Sequence, residues 1–147
     1  MNLEQIHNQY KEHRLYGRYI TNTHIEPLLN ELKDFFEVTV LGKSVLDEPI
    51  YSIKAGKGKI KLYMWSQMHG NESTTTKAIF DFLNMLKGDS DLAKQLKAAF
   101  TFLIIPILNP DGARLYTRAN AVEVDLNRDS LNLTQPESQL LRKAFES

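Results

Sequence analysis

Residues 59–86, KIKLYMWSQMHGNESTTTKAIFDFLNML, change their hydrophobic period part-way along, and that change decides the fold class. Ile60, Leu62 and Met64 alternate with Lys59, Lys61 and Tyr63, the two-residue repeat of a strand. After Gly70 the repeat becomes helical: Ala78, Ile79, Phe82, Leu83 and Leu86 share one face of a helix ending near Gly88. A shorter helix is expected over 92–99. Thr101 to Leu108 is then almost wholly apolar, as in a strand buried on both faces. Strand, helix, strand in that order implies a right-handed parallel crossover. The expected class is α/β, a mixed mostly-parallel sheet flanked by helices.

Upstream, 2–16 and 23–36 read as helices, the second with Ile25, Leu28, Leu29, Leu32, Phe35 and Phe36 at helical spacing. Asn22 or Thr23 is the expected N-cap. Strands are expected over 37–41, 49–54 and 59–66, rich in β-branched and aromatic residues and taken as antiparallel neighbours. Downstream, Asn109-Pro110-Asp111-Gly112 reads as a turn closing the buried strand. A last helix is expected over 134–145, opened by a Thr134–Glu137 capping box and carrying an apolar stripe of Leu140, Leu141, Ala144 and Phe145. The chain stops two residues later while that stripe still needs a surface, so a truncated domain is expected. The organisation expected is a helical segment over residues 1–36 packed on the first portion of an α/β domain over 37–147.

At 147 residues the chain matches a single domain, on a prior of roughly 150 residues each. Lys plus Arg and Asp plus Glu are both 18, so there is no basic surplus to neutralise phosphates, and no nucleic acid is expected as a partner. The longest apolar run, Phe102 to Leu108, is far short of the roughly 20 residues of a membrane helix, and no membrane association is expected. The first twenty residues hold no apolar signal segment, which makes the cytoplasm the default compartment. The absence of cysteine excludes disulfides, thiolate nucleophiles and cysteine-ligated zinc.

Three constellations carry possible chemistry. His69-Gly70-Asn71-Glu72 falls where the strand gives way to the helix, at the carboxyl edge of the sheet, where open α/β folds place their sites. An imidazole and a carboxylate three residues apart can face one side of a turn and share a cation, and both donor types suit zinc. Asn109-Pro110-Asp111-Gly112 brings the following residues to the same edge. Arg118, together with Asp125-Leu126-Asn127-Arg128, adds two guanidinium forks suited to carboxylates or oxyanions and an amide beside the second. Each has a plainer reading, as a hydrogen-bonded loop histidine, a turn and a solvated charged loop. Ser73-Thr74-Thr75-Thr76 reads as helix capping.

Taken together and in order, His69-x-x-Glu72, Asn109-Pro110-Asp111-Gly112, Arg118 and Asp125-Leu126-Asn127-Arg128 resemble the zinc metallocarboxypeptidase family, over a stretch from about Gly42 to Leu141. The resemblance implies Zn2+ held by His69 and Glu72. It implies that Arg118 polarises the scissile carbonyl and stabilises the oxyanion. Asn127 and Arg128 would clamp the free C-terminal carboxylate of a peptide substrate. Such a clamp restricts cleavage to the last peptide bond, because an internal segment offers no carboxylate there. The family also needs a third ligand, a histidine, and a glutamate general base, both well downstream of the Asn-Arg pair. No histidine follows Arg128, and Glu137 and Glu146 lie on the expected last helix. The chain is therefore expected to be the N-terminal part of a larger enzyme, weak in zinc binding and inactive alone. Two alternatives are a zinc-dependent deacylase of N-acyl amino acids and a non-catalytic module that binds peptide C-termini.

Overall fold

A computed structural model describes residues 2–146. Its elements are α1 (Leu3–Tyr10), α2 (Asn22–Leu32), β1 (Glu37–Lys43), β2 (Pro49–Gly56), β3 (Ile60–Trp65), α3 (Thr74–Leu86), α4 (Asp91–Ala99), β4 (Phe100–Ile105), α5 (Pro110–Leu115) and α6 (Pro136–Glu146). The α/β class holds. The four strands form one mixed sheet in the order β1-β2-β4-β3. Parallel pairing is confined to β3 and β4, as the crossover requires; β1–β2 and β2–β4 are antiparallel, so this part of the sheet is not mostly parallel.

The expectation that β1, β2 and β3 are antiparallel neighbours is wrong for the last pair, because β4 lies between β2 and β3. The reason is burial. Of the four strands β4 is the most apolar, and a central position covers both of its faces: Phe102 and Ile104 pack into the core beneath α2 and α3, and Ile105 into a second cluster under α6. Strand β3, with three lysines in and around it, takes the edge, where Ile60 and Leu62 remain exposed.

The main core joins α2 to the sheet through Ile25, Leu28, Leu29 and Leu32, so this helix shares the same core as α3. Thr21, not Asn22 or Thr23, is its N-cap, in a capping box completed by the imidazole of His24. The first helix ends at Tyr10 instead of Tyr16, because residues 11–21 run as a strap over α3: the Glu12 amide donates to Asp81, the Ser73 hydroxyl to the Arg18 carbonyl and the Lys77 ammonium to the Gly17 carbonyl. The buried face of α3 contains Phe80 where Ala78 was expected.

The last helix finds its surface on the second face of the sheet: Leu140, Leu141 and Ala144 pack against Ile50, Ile105, Leu108 and Leu126, and Phe145 lies on Tyr63 at 4.8 Å. Its cap is not the Thr134–Glu137 box. The Asp129 carboxylate accepts from the Thr134 amide and hydroxyl and from the Gln135 amide. Glu137 instead turns inward, fully buried, accepting from the Val45 amide at 3.3 Å and the Asn120 side chain at 3.4 Å.

Candidate metal centre

The loop after β3 has little freedom. Its backbone runs beside the loop after β4 through hydrogen bonds from Leu108 to Ser66 and from Asn109 to Gln67, each 3.0 Å. Gln67 sits in the left-handed region at φ 44°, and its buried side chain donates to the carbonyls of Ile20 and Gly70 while accepting from Thr76. A side chain held by three partners offsets that local strain.

Two glycines then let the two loops touch. A methyl group on Gly70 would lie 1.9 Å from the carbonyl carbon of Gly112. Gly70 is therefore dictated by close backbone approach. Asn109-Pro110-Asp111-Gly112 is not a simple turn but the start of α5, with Asn109 as the N-cap accepting from the Gly112 amide at 2.8 Å and Pro110 in the first turn. Asp111 is fully buried and accepts from the Ser44 hydroxyl and the Leu46 amide, pinning α5 to the loop between β1 and β2.

On this frame His69, Glu72, Arg118 and Asp125 form a closed ring. The imidazole Nδ1 is 3.1 Å from Glu72 Oε2 and its Nε2 is 3.1 Å from Asp125 Oδ1. The guanidinium spans the same two acids, with Nη1 3.3 Å from Glu72 Oε1 and Nε 3.1 Å from Asp125 Oδ2. Burial pushes the Asp125 carboxyl up, but the Asn127 amide, Arg118 and His69 outweigh it and hold the group below the usual aspartate range. Asp125 is thus an anion at neutral pH that accepts the Nε2–H of His69 and leaves Nδ1 facing Glu72.

Nδ1 and Oε2 suit a divalent ion. Two ligands on a tetrahedral zinc with bonds near 2.1 Å stand ~3.4 Å apart, close to the separation found here. Among the described residues no cluster of three potential ligands occurs. His69 and Glu72 therefore fit as a partial ligand set, and Asp125, on the far side of the imidazole, belongs to its support.

A zinc carboxypeptidase family model matches residues 21–141. The chain belongs to the zinc carboxypeptidase family. Within it, the chain is similar to carboxypeptidase 2 of Trichophyton tonsurans, 26% identical over 92 residues, which are 63% of this chain and 17% of that protein. It is also similar to gamma-D-glutamyl-L-diamino acid endopeptidase 1 of Lysinibacillus sphaericus, 31% identical over 104 residues, covering 60% of this chain and 26% of the relative. Among solved structures, a metallo-carboxypeptidase from Burkholderia cenocepacia superposes with a TM-score of 0.80 at 25% identity, over 86% of this chain and 38% of that one. The chain spans a minor part of the length of each.

Of the residues expected at the site, the structure brings His69, Glu72 and Arg118 into the ring and Asn127 to the cavity beside it, whereas Arg128 does not line that cavity. Asn127 and Arg128 follow Asp125 in a turn closed by the Arg128 amide on the Asp125 carbonyl, and both side chains are exposed. Asn127 borders the cavity that His69 and Glu72 line. Sequence reasoning missed Gln67 and the support given by Asp125. The first has no signature in the sequence. The second could have been suspected, since a ligating histidine usually needs an acceptor for its other nitrogen.

Proposed function

We propose that this chain carries the metal-binding and substrate-orienting residues of a zinc-dependent metallocarboxypeptidase, an enzyme that releases C-terminal residues from peptides by hydrolysis. His69 and Glu72 ligate Zn2+. Bound there, zinc supplies a Lewis acid and lowers the pKa of water toward 7. Asp125 fixes the His69 ring through Nε2 and holds Arg118 through Nε; with Nη1 on Glu72, the remaining guanidinium nitrogen, Nη2, is left to polarise the scissile carbonyl and meet the charge that develops on its oxygen. Donors fixed in this way are typically worth ~3 kcal/mol in the transition state. Asn127 and Arg128 bind the terminal carboxylate by a charge-assisted clamp.

The observation that carries this reading is the closed ring of His69, Glu72, Arg118 and Asp125. A catalytic zinc takes three protein ligands, and a general base must serve the water. Residues 2–146 provide two ligands, so the chain alone binds zinc weakly and turns over no peptide.

Zinc affinity, measured by competition with a chelating dye, tests this, compared between wild type, His69→Ala and Glu72→Ala and set beside an assay for release of a terminal residue. Weaker zinc binding in both variants than in wild type, with no turnover by any of the three proteins, is the expected result. Equal zinc affinity in all three, or robust turnover by this chain, contradicts the proposal.

A further inference from the structure

The cavity lined by His69 and Glu72 has a volume of about 700 Å³, and two further charged groups line it, Arg18 and Lys77. Its acid, Glu72, is already engaged by His69 and Arg118. Among the described residues neither Arg18 nor Lys77 has an acidic partner within 4 Å; the Lys77 ammonium bonds only to the Gly17 carbonyl, at 2.8 Å. The cavity therefore keeps a positive surplus beside the metal pair.

The backbone that presents Arg18 is fixed. Its carbonyl accepts from the Ser73 hydroxyl at 2.8 Å, and the Tyr19 ring lies 4.5 Å from that of Tyr116. Gly17 supplies the left-handed turn before it, at φ 72°. Arg18 is thus tied to the residue after Glu72, and Lys77 stands in the second turn of the helix that Glu72 precedes. Asn127 approaches from the opposite loop and also borders an adjoining apolar cavity. A peptide whose terminal carboxylate rests on Asn127 and Arg128, and whose last bond lies at His69 and Glu72, has Arg18 and Lys77 on the wall of the same cavity.

We infer that Arg18 and Lys77 form a subsite for a carboxylate side chain on the amino side of the scissile bond, so that the preferred substrates are peptides acidic at that position. This rests on the carboxypeptidase reading above. Two partly exposed ion pairs support a preference of roughly five- to tenfold at low salt, shrinking as ionic strength rises.

Trp65, the single tryptophan, lines the same cavity and serves as the reporter. The zinc-loaded full chain is titrated with acetyl-Glu-Ala and acetyl-Gln-Ala, each with a free C-terminus, and its fluorescence is followed. The Glu peptide should bind five- to tenfold tighter. Arg18→Ala with Lys77→Ala should abolish that preference while zinc content stays unchanged, and Arg18→Glu should favour acetyl-Lys-Ala. Equal affinity of zinc-loaded wild type for the Glu and Gln peptides overturns the subsite and leaves the metal reading intact. Loss of zinc binding, or no binding of either peptide, overturns both.

Discussion

The two loops that build the site are made differently. The loop after β3 is locked through its backbone and His69: Gln67 is buried and triply bonded, Gly70 abuts Gly112, and the His69 side chain is only 12% exposed, whereas the Glu72 carboxylate at the end of the loop stands 61% exposed. The loop after α5 is open, with Arg118 at 49% and with Asn127 and Arg128 exposed; its fixed points are Asn120, Asp125 and Asp129 beneath. The contrast separates two tasks. Holding one ion needs a donor that cannot drift, and for His69 that rigidity comes from buried backbone contacts. Holding a substrate carboxylate needs a hydrated guanidinium that exchanges water for ligand, so its surroundings stay open.

The largest effect expected within this comparison is from Gly70→Ala. The new methyl group meets backbone on α5 that cannot swing aside, and stability should fall by more than ~3 kcal/mol in urea unfolding. A cost below ~1 kcal/mol would mean that the two loops are not locked together.

Next comes Asp125→Ala, which strips the imidazole of its acceptor and Arg118 of its anchor. Zinc affinity, measured by competition with a chelating dye, should drop about 10- to 100-fold. No change would assign Asp125 to the loop's folding alone.

Acid should then loosen the open loop. Although burial opposes it, hydrogen bonds from Thr134 and Gln135 hold the Asp129 carboxyl down at about 2, against 3.8 ordinarily. A lowered pKa contributes stability that is present above about 4 and lost as pH falls through 2, by about 2 kcal/mol in all. Asp129→Asn should flatten that part of the stability–pH curve. Glu137 has the opposite sign: burial raises its pKa, so the stability linked to its protonated form is lost as pH rises. Glu137→Gln should lose less stability than wild type as pH rises above about 4.5.

The smallest effect on the fold belongs to Arg128→Ala. Its exposed side chain should change stability by less than ~0.5 kcal/mol and leave zinc binding untouched. It should nonetheless remove the discrimination between a peptide and its C-terminal amide. Retained discrimination would place the clamp elsewhere.

Legibility in the sequence followed the same division. The switch of period across residues 59–86 identified the crossover, since side chains repeat every two residues in β3 and every 3.6 in α3. Strand order was not legible, because periodicity tells which face is buried and not which neighbour lies beside it; only the more apolar composition of β4 hinted at its central place. His69, Glu72, Arg118, Asn127 and Arg128 were visible as residue types at suggestive spacing. What holds them was not: Gln67 acts through long-range hydrogen bonds, and Gly70 acts through a contact with a glycine more than forty residues away. Glu137 was misread as a helix cap, because the local capping pattern competes with a buried acceptor role that only the tertiary structure creates.

Zinc-edge X-ray absorption on the metal-loaded chain tests the central claim most directly. One imidazole and one carboxylate in the first shell, with water completing it, is the predicted spectrum, and the imidazole contribution should vanish in His69→Ala. A first shell with two or more imidazoles, or one unchanged by His69→Ala, would place the ion on other histidines and contradict the account.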